Sequence, residues 1–209
     1  MDETKLTSPT PAQEKHSMSL VVSDGNVSIV HKRIEDPVRW FAMRATYRHE
    51  LKIRDMLKEH GIETFIPMKY TFIKKGKKIT RLQVPVINSL IFVYSTQQKL
   101  QAIKAQNPYL QYIVDKNKQK IIVPEKQMQQ FITVCSTYDD SLKFFDPTEI
   151  NLTKGTRVKI LAGEFEGYEG TFVKVKGARD RRVVIAIQGI IAVAMTTINP
   201  ELIQPIKKK

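Results

Sequence analysis

Apolar and polar residues alternate along "VRWFAMRA" (38–45), which predicts a strand. The next stretch, "YRHELKIRDMLKEH" (47–60), changes period. Ile53, Met56 and Leu57 fall within one arc of a helical projection, and Arg48, Lys52, Arg54, Asp55, Lys58 and Glu59 lie outside it. Leu51 fits that arc poorly, and Gly61 supplies the left-handed residue that ends a helix. "IETFIPM" (62–68) returns to strand, with Pro67 assigning it to an edge or bulge. "KYTFIKKGKKITRLQVPV" (69–86) predicts two strands about a Lys-Gly-Lys tip, and "SLIFVYS" (89–95) a short apolar strand. Gln97–Gln106 reads as a helix with Leu100 and Ile103 facing inward. "LQYIVD" (110–115) and "KIIV" (120–123) predict a strand pair joined by the turn "KNKQ". Pro124 then opens a helix that carries Met128, Phe131, Ile132 and Cys135 on one face.

This order predicts a mixed α+β body over 37–135, with helices packed on a largely antiparallel sheet. Residues 136–151 hold Asp139, Asp140, Asp146 and Pro147 without a period and read as a linker. Beyond it lie five short apolar runs, "TRVKIL", "TFVKVKG", "RRVVIAI", "IAVAMTT" and "ELIQPI", with turns at Gly163, Gly167, Gly177 and Gly189. Five short strands bury a core by curling, so 152–206 is expected to be a small β-barrel, followed by a basic tail at 207–209. Residues 1–36 read as a largely disordered extension, with a hairpin over 20–30 about Asp24-Gly25.

Charge sharpens this division. The 209 residues carry a net charge of +13. Residues 37–133 hold 18 Lys/Arg against 6 Asp/Glu, 134–151 hold 1 against 4, and 152–209 hold 11 against 5. Two basic bodies separated by an acidic joint point to nucleic acid or a nucleic-acid machine as partner. No run reaches the ~20 apolar residues a membrane span needs. The first twenty residues lack the apolar core of a secretory signal. A cytoplasmic protein is expected, and the single Cys135 at helical spacing reads as a core residue.

Catalytic chemistry finds no foothold. His16, His31, His49 and His60 lack a second ligand at metal spacing, and neither a phosphate loop nor a nucleophile elbow occurs. Glu164, Glu166 and Glu169 sit on a turn, where solvation suffices to explain them. No cofactor or metal is expected. Arg44, Arg48, Lys52, Lys58 and the hairpin lysines Lys74, Lys75, Lys77 and Lys78 instead form a basic set suited to phosphates. No residue identifies itself as a reader of bases. Leu90 and Phe92 alternate on one strand and so share a face, covered either by the domain's own helices or by a helical partner, with Phe65 and Ile66 as weaker contributors.

"GTRVKILAGEFEGYEGTFVKVKG" (155–177) resembles a KOW motif, through Gly163, Phe165, Gly167, Tyr168 and Gly170. "WFAMRATYRHELKIRDMLKEHGIETFIPM" (40–68), followed by the basic hairpin and "SLIFV", resembles the N-terminal domain of the NusG family. Together the likeness covers about residues 38–206. "INSLIFV" departs from the family pattern at Leu90, where an aromatic is usual, and the N-terminal extension is long; both features resemble the specialised RfaH and UpxY-type paralogs. The resemblance implies a monomeric factor without catalysis that suppresses pausing and termination on particular long operons, such as capsular polysaccharide loci. It implies that Leu90 and Phe92 meet the clamp helices of RNA polymerase, and that the basic set meets upstream or non-template DNA. It also implies that Phe165 and Tyr168, with Gly167 and Gly170, dock a partner such as the ribosomal protein NusE or Rho. A general NusG that assists Rho, and a ribosomal or other RNA-binding KOW protein, remain open. The β-branched run Val183, Val184, Ile185, Ile187, Ile190, Ile191 and Val193 favours strands over a helical alternative for the C-terminal body.

Overall fold

The structure is a computed structural model that describes residues 16–23, 26–33, 36–146, 149, 151–175, 179–187, 189–195 and 198–206. By internal contacts the chain divides into Met1–Pro37 and Val38–Lys209. In the first unit β1 (His16–Ser23) pairs antiparallel with β2 (Asn26–Arg33), so the ladder runs longer than the 20–30 hairpin read from sequence. The expected disorder of 1–15, the Asp24-Gly25 turn, Gly177 and the tail at 207–209 lie outside the described residues.

The second unit is α+β. Its first sheet holds β3 (Arg39–Ala45), β4 (Glu63–Phe65), β7 (Leu90–Ser95), β8 (Leu110–Tyr112) and β9 (Ile122–Val123), all antiparallel, with β3 and β7 at its centre. Alternation along β3 sorts the two faces. Phe41, Met43 and Ala45 join Ile91 and Val93 beneath α1 (Glu50–Glu59) and α2 (Gln97–Gln106), which contribute Ile53, Leu57 and Leu100. Trp40, Ala42, Leu90 and Phe92 turn the other way, onto Met128, Phe131 and Cys135 of α3 (Glu125–Ser136). Between these elements β5 (Met68–Lys75) and β6 (Lys78–Pro85) form a two-stranded sheet of their own among the described residues.

Two local expectations are corrected. Residues 110–115 and 120–123 are not a simple strand pair. β8 and β9 lie end to end along the same edge of β3, and 113–121 is an excursion between them, bridged at Val114 and Lys120. Both segments satisfy more backbone groups on β3 than on each other. The Asp115 side chain accepts from the N–H groups of Asn117 and Gln119 and closes the excursion without a longer ladder. The helix read from 47 begins only at Glu50, because Tyr47 and Arg48 have left-handed backbones, with φ of 58° and 59°.

The C-terminal part is a six-stranded antiparallel sheet. Its strands are β10 (Lys143–Phe145), β11 (Thr156–Ile160), β12 (Glu169–Lys174), β13 (Arg181–Ile187), β14 (Ile191–Ala194) and β15 (Ile203–Pro205), in the spatial order β10-β14-β13-β12-β11-β15. The five runs read from sequence are all strands. The sixth, β10, falls in the aperiodic stretch 136–151. Val158, Ile160, Val183, Ile185, Ile187, Ile191 and Val193 pack in one cluster. The opposite parity, Val173, Val184, Ala192 and Ala194, is buried as well, in a second cluster. β14 is therefore covered on both faces, and α3 lies against β13 and β14.

Candidate nucleic-acid and partner interfaces

The basic residues fall in two groups. Arg44 on β3, Arg48 in the turn before α1, and Lys52 and Lys58 on α1 are exposed. Lys74, Lys77 and Lys78 crowd the tip of the β5–β6 hairpin, and Lys75 completes the tip in sequence. None of the seven exposed side chains pairs with a carboxylate among the described residues. Unpaired cations on a rigid scaffold suit sequence-independent attraction to phosphates. Contacts along its length tie the hairpin to the following segment. The Arg81 guanidinium stacks 3.8 Å from the Tyr70 ring centroid and reaches Asp140 at 3.3 Å, and Tyr70 packs on Tyr138 with ring centroids 5.8 Å apart.

The turn before α1 has an architecture of its own. Tyr47, Arg48 and, across the sheet, Ser89 all adopt positive φ without being glycine. The backbone is held there by Ala45 N–H donating to Ser89 O at 2.8 Å, Thr46 N–H to Tyr109 O at 2.9 Å and Arg48 N–H to Ser89 Oγ at 3.3 Å. Tyr109 is set in turn by its N–H donating to Asn107 Oδ1 at 3.1 Å. Tyr47, His49 and Tyr109 form an aromatic cluster, with His49 and Tyr109 crossing edge-on at 4.9 Å and Tyr47 and Tyr109 at 6.1 Å. No periodicity marks Tyr47. Its outward placement follows from a backbone conformation that a sequence of non-glycine residues does not advertise.

The apolar site residues read from sequence separate. Leu90 and Phe92 share a face, as the alternation requires, and α3 covers it: they are 3% and 0% exposed. Phe131 is the seat, meeting Phe92 at 6.0 Å and Phe65 at 6.1 Å between ring centroids. Phe65 is half-buried on the same side, whereas Ile66 packs on the opposite face with Ile53 and Leu57. Burial pushes the Cys135 thiol far above its ordinary value, which suits a core side chain. Burial, and then the charge of Glu125, raises the Tyr94 phenol.

In the C-terminal sheet, the glycine-rich turn between β11 and β12 carries Phe165 and Tyr168, half-buried against the core with ring centroids 5.8 Å apart. Gly167 has a φ of 82°, which a side chain adopts only with strain. Gly170 lies on β12 opposite Val158, and a Cβ there would meet Val183 and the Val184 carbonyl. The two sheets meet through α3, whose Gln127 amide donates to Ala186 O and whose Lys126 reaches Glu169 on β12 at 3.0 Å. Glu169 also accepts from Arg157 at 3.2 Å, and the Lys126 hydrogen bond, the largest influence, holds its carboxyl below the ordinary value. Sequence reasoning missed this second face of α3. Its signal was Gln127, Gln130 and Val134, at i, i+3 and i+7 of the same helix.

Residues 38–132 match the family model described as "Transcription termination factor nusG". A solved structure described as "Domain interaction in Thermotoga maritima NusG" is 17% identical, with 82% of this chain and 98% of that chain covered and a TM-score of 0.43. No curated protein matches. The family likeness is therefore to the NusG transcription factors, and it lies on residues 38–132, the part that holds the strained turn, the basic hairpin and the Leu90–Phe92 strand.

Proposed function

We propose that this chain is a NusG-type transcription factor that binds RNA polymerase through its N-terminal body and suppresses pausing and termination, in the manner of the specialised antiterminators of long operons such as capsular polysaccharide loci. The match of residues 38–132 to the NusG family supports the NusG-type role, and the departure at Leu90 with the long N-terminal extension favours the specialised form. The exposed cations on α1 and the hairpin, unpaired among the described residues, agree with a role beside upstream or non-template DNA. The C-terminal sheet, with Phe165 and Tyr168 on its rigid turn, is the element that recruits a second protein, NusE or Rho.

The Leu90–Phe92 face sets a condition on this reading. Both side chains are buried in the core that α3 completes, Phe92 against Phe131, and α3 lies against β13 and β14. A clamp helix gains that face only where this packing gives way, so polymerase binding draws on a minor, opened arrangement and is weakened by the fraction of chains that remain closed. The protein acts by population shift: favouring the elongating polymerase over the paused one needs only differential affinity for the two.

The test is transcription by the cognate purified RNA polymerase on a long template with pause sites and a Rho-dependent terminator. Shorter pauses and more readthrough are expected. Stronger Rho-dependent termination would assign the chain to the general NusG role instead. Unchanged transcription at every concentration would remove polymerase as partner and leave the RNA-binding alternative.

A further inference from the structure

We infer that Tyr47, backed by Tyr109 and His49, is a stacking platform for an unpaired base of a single nucleic-acid strand, with Arg48 holding the phosphate beside it. The inference deepens the nucleic-acid part of the proposed function and does not depend on polymerase binding. Tyr47 is 82% exposed, the most of any large hydrophobic residue described. Exposure alone would be unremarkable surface; the construction beneath it is not. A left-handed backbone costs a non-glycine residue roughly 1–2 kcal/mol. Here two consecutive residues adopt it, Tyr47 at φ 58° and Arg48 at 59°, with Ser89 at 65° facing them. Such strain persists where surrounding contacts over-determine it, and it concentrates at binding sites. The determining contacts run to two separate loops, through Ser89 and Tyr109.

The product of this strain is a tyrosine ring outside the surface and an arginine next to it. Tyr109 lies edge-on to the ring at 6.1 Å and His49 is tilted against it at 6.5 Å, and the ring stays open to solvent. A base fits there because every base has a π-face, and an aromatic platform flanked by cations is how single strands are held without sequence preference. Arg44 on β3 and Lys52 on α1, the elements that flank the turn in sequence, are exposed and unpaired among the described residues and add to the positive charge of this segment. A duplex offers no free base face, so the site discriminates between paired and unpaired nucleic acid.

The experiment measures binding of the full chain, without polymerase, to a fluorescent dT15, to rU15 and to a 15-base-pair duplex across a salt series. Tight dT15 or rU15 binding with weaker duplex binding is expected, and the stronger of the two arms identifies DNA or RNA. Tyr47→Ala should weaken single-strand binding roughly 5- to 150-fold, the loss of one base stack, without changing the slope of affinity against salt. Tyr47→Phe should retain binding. Arg48→Ala should instead lower the slope by about 0.7, the value of one phosphate contact on a single strand. Near-wild-type affinity for Tyr47→Ala, or equal affinity for duplex and single strand, would overturn the inference even if the protein proves active in transcription. Loss of transcription activity with intact Tyr47-dependent binding would instead count against the polymerase reading alone.

Discussion

Lys126 on α3 and Glu169 on β12 meet at 3.0 Å, and this contact joins the helix that seats Phe92 to the C-terminal sheet. Arg157 shares the same carboxylate at 3.2 Å. With Lys126 largely exposed, the pair is screened, and its contribution is at most about 1 kcal/mol. Because the Glu169 carboxyl is held below its ordinary value of 4.5, the contribution is fully present above that pH and is lost as pH falls through the lower, folded value. Glu169→Gln should therefore lower stability by up to about 1 kcal/mol at neutral pH and low salt, and the difference should shrink as pH falls through the folded value or as salt rises to about 1 M. Chemical denaturation at pH 7 and pH 3 checks this.

The same pair gives a functional prediction. Reversing one charge, as Lys126→Glu, places like charges across the seam and favours the opened arrangement. A shift of about 1 kcal/mol raises the apparent affinity for a clamp-helix peptide by up to about fivefold. Restoring attraction with Lys126→Glu and Glu169→Lys together should bring the affinity back toward wild type, although Arg157 then opposes the new lysine and leaves the return incomplete. Titration of a labelled clamp-helix peptide into each variant reads this directly. Equal affinities in all three proteins would show that the seam does not limit access.

Much of this fold was legible because local chemistry and global role agree. α2 begins and ends where its pattern does, since Thr96 caps it by accepting from the Lys99 N–H. The β5–β6 hairpin and five C-terminal strands declare themselves by turn residues and β-branched runs. The misses share a cause: they are set by partners distant in sequence. β8 and β9 align on β3 rather than on each other, and β10 exists because β14 offers it an edge. Tyr47 takes its backbone from Ser89 and Tyr109, more than forty residues away. Leu90 and Phe92 were correctly placed on one face, but alternation cannot say what covers that face.

Phe131 fills the space between Phe65 and Phe92, so its loss should be felt as a cavity. Phe131→Ala is expected to cost about 3–5 kcal/mol and Phe131→Leu appreciably less. Phe92→Ala should be as damaging, for Phe92 is fully enclosed. A transcription defect in Phe92→Ala therefore reports on polymerase contact only if urea denaturation shows the variant folded under assay conditions.

Gly170 and Gly167 are three residues apart and should answer substitution differently. A Cβ at Gly170 would stand 2.6 Å from Val183 Cγ1 and 2.9 Å from the Val184 carbonyl oxygen, so β12 and β13 would have to part. Overpacking of that kind costs about 1–3 kcal/mol. At Gly167 nothing lies within 4 Å, and the cost is the left-handed backbone alone. Gly167→Asn should be nearly neutral, because asparagine tolerates that conformation, whereas Gly170→Asn should destabilise at least as much as Gly170→Ala. Thermal melts of the three variants separate packing from backbone strain.

The strained turn makes stability and binding move in opposite directions. At Tyr47 a glycine would relieve a backbone penalty of roughly 1–2 kcal/mol. It would also add freedom to the unfolded chain, at a cost of about 0.4–1 kcal/mol. Little packing is lost in exchange, because the ring stands 82% exposed. Tyr47→Gly should therefore fold at least as stably as the wild type while losing single-strand affinity to the same degree as Tyr47→Ala. A residue kept only for its packing would give the reverse, a loss of stability with binding unchanged. Denaturation midpoints and dT15 affinities measured on the same samples decide between them, since a natural tyrosine that weakens its own fold is retained for what its ring touches outside it.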